Sequence, residues 1–250
     1  TGRRVADLFD LVAGTSTGGL LACALCRPDA RPAAELAGIY EDEGPGIFSR
    51  TFVKRISSFG GLLDERYRDD GLQETLRRHL GEVALSEVVT PVFVTAYDIS
   101  GRFAFFFRSS RAVGDRSYDF SLVDVARATA AAPTYFEPEP VTDLAGARTY
   151  PLIDGGVFAA NPSMCAYAEV GGGVTTMVSL GTGAQSRSYS YAAARGWGQL
   201  EWARPVIDMV FDGLADTVEF QLRSLLAPGS YFRLQSALED ASADMHDASP

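Results

Sequence analysis

The sequence feature that most restricts the fold is a G-x-S-x-G pattern near the start of the chain. Gly14 and Gly18 flank Ser16 at two residues on each side. The mostly apolar segment Phe9–Ala13 predicts a buried strand before this pattern, and the small and apolar residues of Thr17–Cys26 predict a helix after it. A serine at this spacing between a strand and a helix is typical of a nucleophile elbow, a sharp turn that exposes a reactive hydroxyl.

The residues around Ser16 fit the geometry of such a turn. Gly14 and Gly18 lack side chains, as expected where a strand and the following helix pass close together. The helix predicted to begin at Thr17 directs its N–H groups and the positive end of its dipole toward Ser16, which favours an oxyanion there. The pattern therefore predicts Ser16 as the nucleophile. The elbow and oxyanion-binding residues are predicted to be Gly14, Thr17, Gly18 and Gly19.

The composition of the chain limits both its size and its partners. With 250 residues, 46% of them hydrophobic, the chain is long enough for one large α/β domain with a full core. Its net charge of −10 argues against a nucleic-acid partner, since such proteins usually carry a basic face. Predicted strands and helices alternate along the chain, which favours a mostly parallel sheet covered on both faces.

The sequence offers no evidence for a membrane span, a leader peptide or a metal site. No uninterrupted apolar run is long enough to cross a bilayer, and no signal peptide is visible. The chain does not begin with Met, so we expect a further segment upstream of Thr1. Cys23 and Cys26 lie one turn apart inside a predicted helix, where buried structural thiols are favoured over a redox or zinc pair. No cofactor is predicted, and we expect a cytoplasmic protein, with membrane association or secretion as the alternatives.

A serine nucleophile needs a base, and histidine is the usual one. The chain has two histidines. His79 lies late in a predicted amphipathic helix among arginines, which indicates a surface or capping role, and His246 lies in the polar C-terminal tail. Neither follows a strand, where catalytic groups gather in an open parallel sheet.

Asp154, in contrast, ends a predicted strand over residues 149–153. Gly155 and Gly156 follow it and let the backbone approach another element closely. An aspartate at this place also fits a turn-forming or capping role. Because the chemistry requires a base and the histidines are poorly placed, the sequence favours Asp154 as the partner of Ser16.

Two other carboxylates, Asp98 and Asp124, are alternative bases with less favourable local sequence. An aspartate with an ordinary pKa of about 3.9 is a weak base at neutral pH. Burial beside an apolar acyl site is expected to raise the pKa of Asp154 and to suit it better to proton abstraction.

Four motifs together resemble the patatin-like phospholipase family. They are G-T-S-T-G-G at residues 14–19, A-T-A-A-A-P-T-Y-F at 128–136, D-G-G at 154–156 and V-S-L-G-T-G at 178–183. They stand in the order of the family, and the likeness extends from about Asp7 to the end of the chain. Four motifs in order are far more specific than any one of them.

The resemblance implies a three-layer α/β/α fold that forms a single domain over residues 1–250. It also implies a Ser16–Asp154 dyad that hydrolyses acyl esters of phospholipids, lysophospholipids or related lipids through an acyl-serine and without a metal. The family carries a glycine-rich oxyanion loop with an arginine before the elbow strand, and nothing before Asp7 matches that loop. We expect the loop upstream of Thr1; otherwise the chain is a poor enzyme.

Two further functions fit the same residues. In an acyltransferase an alcohol or a thiol replaces water, although such enzymes usually pair the serine with histidine. A catalytically weak lipid-binding module is suggested by the missing oxyanion loop. For any of these functions the expected partners are a lipid and a membrane or micelle surface that is contacted transiently. The oligomeric state is not predicted.

Overall fold

The computed structural model describes residues 2–38, 66–133, 136–185 and 189–238. The chain divides into two compact units, Thr1–Val157 and Phe158–Asp244. The assignment of residues 1–250 to a single domain remains a prediction. None of the described helices combines the length and the hydropathy that crossing a membrane requires.

Strands and helices alternate through the described residues. The strands are β1 (Val12–Gly14), β2 (Val92–Asp98), β3 (Phe103–Arg108), β4 (Glu139–Thr142), β5 (Thr149–Asp154), β6 (Met177–Leu180), β7 (Ala184–Gln185), β8 (Tyr231–Leu234) and β9 (Ala237–Leu238). The helices are α1 (Thr17–Leu25), α2 (Arg66–Leu80), α3 (Ser109–Ala112), α4 (Leu122–Thr129), α5 (Gly156–Ala159), α6 (Ser163–Glu169), α7 (Tyr191–Ala194) and α8 (Gln199–Leu225). A further helical segment covers residues 33–38.

Strand β2 organises the sheet of the first unit, because three strands pair with it. β3 runs antiparallel to β2 along residues 93–98 and so occupies one edge of that strand. β1 pairs with residues 92–94 in parallel, and β5 pairs with residues 96–98 in antiparallel orientation. Since a strand has only two hydrogen-bonding edges, β1 and β5 share the second edge and meet end to end beside Thr95.

The predicted α/β class is confirmed, with a mixed sheet flanked by helices. The pairings β1·β2, β6·β8 and β7·β9 are parallel, whereas β2·β3, β2·β5 and β4·β5 are antiparallel. The connections over residues 99–102 and 143–148 are too short for a parallel crossover, so β3 and β5 fold back on the strands before them. These hairpins interrupt the mostly parallel arrangement that the alternation of elements favours.

Helices α1 and α4 pack where β1 and β5 meet. α1 packs on β1 and β2, and α4 packs on β2, β4, β5 and α1. The Ser121 side chain caps α4 by accepting a hydrogen bond from the Val123 N–H. Every residue of α4 except Asp124 is buried, so the helix is enclosed by the rest of the fold on nearly all sides. The surrounding core includes Leu72, Leu76, Leu80, Val92, Val94, Phe107, Leu122, Val125 and Leu152.

The second unit contains two small parallel sheets, β6·β8 and β7·β9. The long helix α8 packs against α6 and β8. The buried core of the second unit consists of Leu222, Leu226 and Tyr231. Met164 and Met177 are partly buried and pack against these residues.

The first strand is shorter than the sequence predicts. Pairing covers Val12–Gly14, and Phe9 lies before the strand with 39% of its surface exposed. The Val12 N–H donates to the Pro91 carbonyl at 2.9 Å. Pro91 has no N–H to extend the ladder further, which explains why residues 9–11 stay outside the sheet.

Candidate active site

The turn between β1 and α1 holds Ser16 in a strained backbone conformation. Ser16 has φ of 55° and ψ of −128°, and it is one of two non-glycine residues with positive φ in the described part of the chain. Such conformations cost about 1–3 kcal/mol and cluster at functional sites. Helix α1 begins at the next residue, Thr17, and the Ser16 carbonyl accepts a hydrogen bond from the Gly19 N–H at 2.8 Å. The predicted strand–turn–helix geometry around Ser16 is therefore present.

The glycines of the elbow differ in how tightly they are packed. A Cβ atom on Gly14 would lie 2.1 Å from the Gly18 carbonyl oxygen, so only glycine fits there. A Cβ atom on Gly18 would have no neighbour within 4 Å, so the expectation that both flanking glycines lack side chains for lack of space is wrong at Gly18. The crowded position in the helix is Gly19, where a Cβ atom would lie 2.6 Å from the Thr129 methyl group.

The structure brings Ser16 and Asp154 together, and the sheet explains how. β1 ends at Gly14, which pairs with Val94, and β5 ends at Asp154, which pairs with Ala96. The two strands approach each other from opposite directions on the same edge of β2, so the residues after their ends converge. The Ser16 hydroxyl donates a hydrogen bond to the Asp154 carboxylate.

Two further contacts fix Asp154 at this place. Its backbone N–H donates to the Ala131 carbonyl at 2.9 Å, and its Oδ1 accepts from the Gly156 N–H at 2.7 Å. The turn-forming role considered from the sequence is therefore real, and it coexists with the contact to Ser16. A Cβ atom on Gly155 would lie 2.1 Å from the Thr95 hydroxyl oxygen, so only glycine allows the chain to turn this close to β2.

The environment of Asp154 favours a carboxylate that can take up a proton. The residue is 5% exposed, and burial raises its pKa to about 6, against the hydrogen bonds from Ser16 and Gly156, which lower it. At neutral pH this carboxylate is still mostly ionised, yet it is a stronger base than an ordinary aspartate.

A buried network of threonines supports the elbow, and sequence reasoning alone misses it. The Ser16 N–H donates to the Thr129 hydroxyl at 2.9 Å, and the same hydroxyl donates to the Thr95 carbonyl at 2.7 Å. The Thr15 and Thr95 hydroxyls lie 2.7 Å apart. All three side chains are buried. The available signal was Thr129 itself, which lies in the motif at residues 128–136.

The alternative carboxylates serve other parts of the fold. Asp98 closes the β2–β3 turn, where its Oδ1 accepts hydrogen bonds from the Ser100 N–H, the Ser100 hydroxyl and the Gly101 N–H. Burial alone would raise the pKa of Asp98, but these hydrogen bonds and the charge of Arg148 together lower it. Burial raises the pKa of Asp124, and the positive charge of Arg77 on α2 offsets part of that rise.

A serine–aspartate hydrogen bond alone therefore does not mark the site. The Ser100–Asp98 pair at 2.7 Å joins residues two apart in a turn, and the pKa of its carboxylate is lowered. The Ser16–Asp154 pair joins residues from distant parts of the chain, and the pKa of its carboxylate is raised.

The histidines do not supply a base within the described residues. His79 lies in the last turn of α2, and its carbonyl accepts a hydrogen bond from Arg27, just beyond the C-terminal end of α1. Ser16 lies at the N-terminal end of α1. The nine residues of α1 rise about 1.5 Å each, so Ser16 lies about 13 Å from the C-terminal end of that helix. His246 lies outside the described residues.

The thiols of Cys23 and Cys26 are structural, as predicted. Both are free, fully buried and part of the core beneath α1. Burial raises the pKa of each thiol, so neither is a ready thiolate. Within the described ranges, no three His, Cys, Asp or Glu side chains are grouped so that they could hold a metal ion.

Comparisons with known proteins show the family to which this chain belongs. Residues 2–167 match the family described as patatin-like phospholipase. The chain belongs to the patatin-like phospholipase family. It is 34% identical to patatin-like protein 2 of Arabidopsis thaliana, over 93% of this chain and 67% of that protein. It is also 31% identical to patatin-like protein 1 of Oryza sativa subsp. indica, over 98% of this chain and 68% of that protein.

A potato protein, patatin group J-1 of Solanum tuberosum, is 29% identical over 98% of this chain and 70% of its own length. The family region, residues 2–167, contains Ser16, Thr129 and Asp154. Patatin-like membership supports lipid acyl hydrolysis as the general class of activity.

Proposed function

We propose that this patatin-like chain cleaves fatty-acyl esters of phospholipids or lysophospholipids, with Ser16 as nucleophile and Asp154 as base. The observation that carries the proposal is the hydrogen bond from the Ser16 hydroxyl to a buried carboxylate whose pKa is raised to about 6. Membership of a family described as phospholipases supports a lipid as the substrate.

The first half of the reaction forms an acyl-enzyme. As the Ser16 oxygen attacks the ester carbonyl carbon, its proton passes along the existing hydrogen bond to Asp154. The resulting tetrahedral oxyanion collapses, the carbon–oxygen bond to the glycerol side breaks, and Asp154 gives its proton to the leaving alcohol. The products of this half are an acyl-serine and a lipid that has lost one acyl chain.

The second half returns the enzyme to its starting state. Asp154, again ionised, takes a proton from a water molecule that attacks the acyl carbon. Collapse of the second tetrahedral intermediate breaks the bond to Ser16 and releases the fatty acid, and Ser16 recovers its proton from Asp154. One carboxylate therefore serves both halves as base and then as acid.

The oxyanion is proposed to form at the N-terminal end of α1. This helix begins directly after Ser16, so its first N–H groups and the positive end of its dipole favour negative charge there. Thr17 follows the nucleophile, which is the position that supplies a backbone donor in a nucleophile elbow. Gly18 and Gly19 continue this first turn.

Substitution of the two side chains tests the proposal. In full-length protein, Ser16→Ala and Asp154→Asn should each lower kcat by at least about 10³-fold on a p-nitrophenyl acyl ester and on phospholipid micelles. Ser100→Ala is the matched control, since it removes a serine–aspartate hydrogen bond of 2.7 Å in the same unit without touching the elbow. Normal turnover by Ser16→Ala refutes the assignment.

The same assay separates hydrolysis from the two alternatives. With a primary alcohol added, a hydrolase releases mainly free fatty acid, whereas an acyltransferase yields mainly the new ester. A lipid-binding module binds phospholipid micelles but releases neither product, and its Ser16 is never acylated.

We further propose that the enzyme meets its lipid at a membrane or micelle surface and leaves it after turnover. A net charge of −10 gives no electrostatic attraction to anionic lipid, so the contact must be local or apolar. Turnover of a short-chain phospholipid should therefore increase sharply where that lipid begins to form micelles. A rate that stays proportional to monomer concentration through this point contradicts the proposal.

A further inference from the structure

Thr129 uses its whole side chain in contacts with the elbow and the strand beneath it. It is the last residue of α4 and is fully buried. Its hydroxyl accepts from the Ser16 N–H at 2.9 Å and donates its own hydrogen to the Thr95 carbonyl at 2.7 Å. The hydroxyl therefore links the elbow to the middle of β2 in one defined orientation.

The backbone of Ser16 needs such a partner because regular structure does not supply one. Pairing of β1 with β2 ends at Gly14, and Ser16 precedes the first residue of α1, so neither ladder takes up its N–H. A backbone strained by a positive φ persists only where its surroundings hold it in place. The Thr129 hydroxyl is what holds this N–H.

The methyl group of Thr129 fixes the position of the hydroxyl. It packs so closely on α1 that a Cβ atom on Gly19 would lie 2.6 Å from it. Threonine thus fills the space between α4 and α1 with its methyl group and presents its hydroxyl to Ser16. Serine would present the hydroxyl but would leave that space unfilled.

The segment that follows Thr129 also holds the other member of the pair. The Ala131 carbonyl accepts a hydrogen bond from the Asp154 N–H at 2.9 Å. We propose that Thr129 is a positioning residue, which holds Ser16 in the strained geometry at a fixed place relative to Asp154. This inference rests on the proposed roles of Ser16 and Asp154.

Thr129→Val is the direct test, since it keeps the shape of the side chain and removes the hydroxyl. It leaves the Ser16 N–H and the Thr95 carbonyl without this partner. We expect kcat on a soluble p-nitrophenyl ester to fall about 10- to 100-fold and KM to change less than about twofold, since the side chain positions the nucleophile and does not contact substrate. The rate at which a fluorophosphonate labels Ser16 should fall in parallel.

Thr90→Val is the matched control. Thr90 is also buried, and its hydroxyl donates to the Ala6 carbonyl at 2.6 Å, without contact to Ser16 or Asp154. The two variants make the same chemical change, but Thr129→Val removes two buried hydrogen bonds and Thr90→Val removes one, so Thr129→Val should lose more thermal stability. Only Thr129→Val should lose kcat.

A second pair of variants decides the matter even if Thr129→Val does not fold. Thr129→Ser and Thr129→Cys both lack the methyl group and differ only in oxygen against sulfur, a weak hydrogen-bond partner. We expect Thr129→Ser to stay within about threefold of the original kcat and Thr129→Cys to lose about tenfold or more. Equal activity of these two variants overturns the positioning role.

The outcomes also separate this inference from the proposed function. If Ser16→Ala is inactive while Thr129→Val matches Thr90→Val in kcat and labelling rate, the inference fails and the function stands. If Ser16→Ala turns over normally, the proposed function itself fails.

Discussion

At Asp154 the requirements of the site oppose the stability of the fold. Burial raises the pKa of this carboxyl to about 6 in the folded chain, above its ordinary value of 3.8. The folded state therefore binds a proton more tightly than the unfolded state. The contribution of the Asp154 carboxyl to the stability of the fold is greatest below about pH 4 and is lost as the pH rises through about 6. At neutral pH the ionised form costs about 3 kcal/mol, from two pKa units at 1.36 kcal/mol each.

Asp154→Asn removes that cost. The amide is neutral, and its carbonyl oxygen can still accept the hydrogen bond from the Gly156 N–H. We expect the variant to lose activity and to gain up to about 3 kcal/mol in free energy of unfolding at pH 7.5, with a smaller gain at pH 4.5. Urea denaturation at both pH values measures this difference. A variant that is less stable than the original chain at pH 7.5 contradicts the account.

The pH profile of turnover follows from the same carboxyl. Because the base must be ionised to accept the Ser16 proton, kcat/KM should rise with pH and level off above a midpoint near 6. A soluble ester keeps the measurement free of changes in a lipid surface. A midpoint near 4, the ordinary value of an aspartate, would show that burial does not tune this group.

The sequence is sufficient to propose Ser16 and Asp154 as a pair, but not to find the residues that contact them. A serine between two glycines and an aspartate before two glycines are local patterns, visible without a fold. Thr95 and Thr129 look like ordinary members of an apolar strand and a small-residue helix. Their hydroxyl groups meet their hydrogen-bond partners only when the register of β2 and the packing of α4 bring these segments together.

At the scale of elements, the site depends on two strand ends that meet on one edge of β2. The β2–β3 hairpin is visible in the sequence, because the apolar runs at residues 91–97 and 103–107 flank a short polar turn. It did not predict that β5 would continue the line of β1, since this follows from pairing between segments far apart in sequence. Convergence of Ser16 and Asp154 was therefore an expectation from chemistry rather than from topology.

The contact between α1 and α4 predicts that alanine is tolerated differently at two adjacent glycines of α1. Gly19→Ala places a Cβ atom 2.6 Å from the Thr129 methyl group and 3.0 Å from a Val94 methyl group. We expect it to cost about 1–3 kcal/mol in free energy of unfolding. Gly18→Ala meets nothing within 4 Å and should leave stability unchanged or raise it by up to about 1 kcal/mol. Thermal denaturation of the two variants tests this order, and equal loss at both positions contradicts it.

At the scale of the whole molecule, we propose that net charge governs how the chain meets lipid. The chain carries a net charge of −10, and its family acts in the general class of lipid acyl hydrolysis. An acidic protein is repelled by an anionic surface, and salt screens this repulsion over a Debye length of about 10 Å at 0.1 M. The net charge follows from composition alone, whereas the division into two compact units is not visible in the sequence.

Hydrolysis of vesicles at different salt concentrations tests the role of charge. Turnover of anionic vesicles should increase as ionic strength rises from about 0.01 to 0.15 M, because screening reduces the repulsion. Turnover of zwitterionic vesicles and of a soluble ester should not change, which controls for effects of salt on the chemistry. Fastest turnover of anionic vesicles at the lowest salt would show that a local basic surface dominates instead.

The central claim is that the carboxylate of Asp154 activates the hydroxyl of Ser16. Mass spectrometry of the chain after treatment with a fluorophosphonate tests it most directly, because an activated serine displaces fluoride and gains one phosphonyl group. We predict a single modification, mapped to Ser16, that forms readily in the original chain and in Ser100→Ala and is nearly absent in Asp154→Asn. Modification of a different residue, or equal labelling of Ser16 in Asp154→Asn, would contradict the claim.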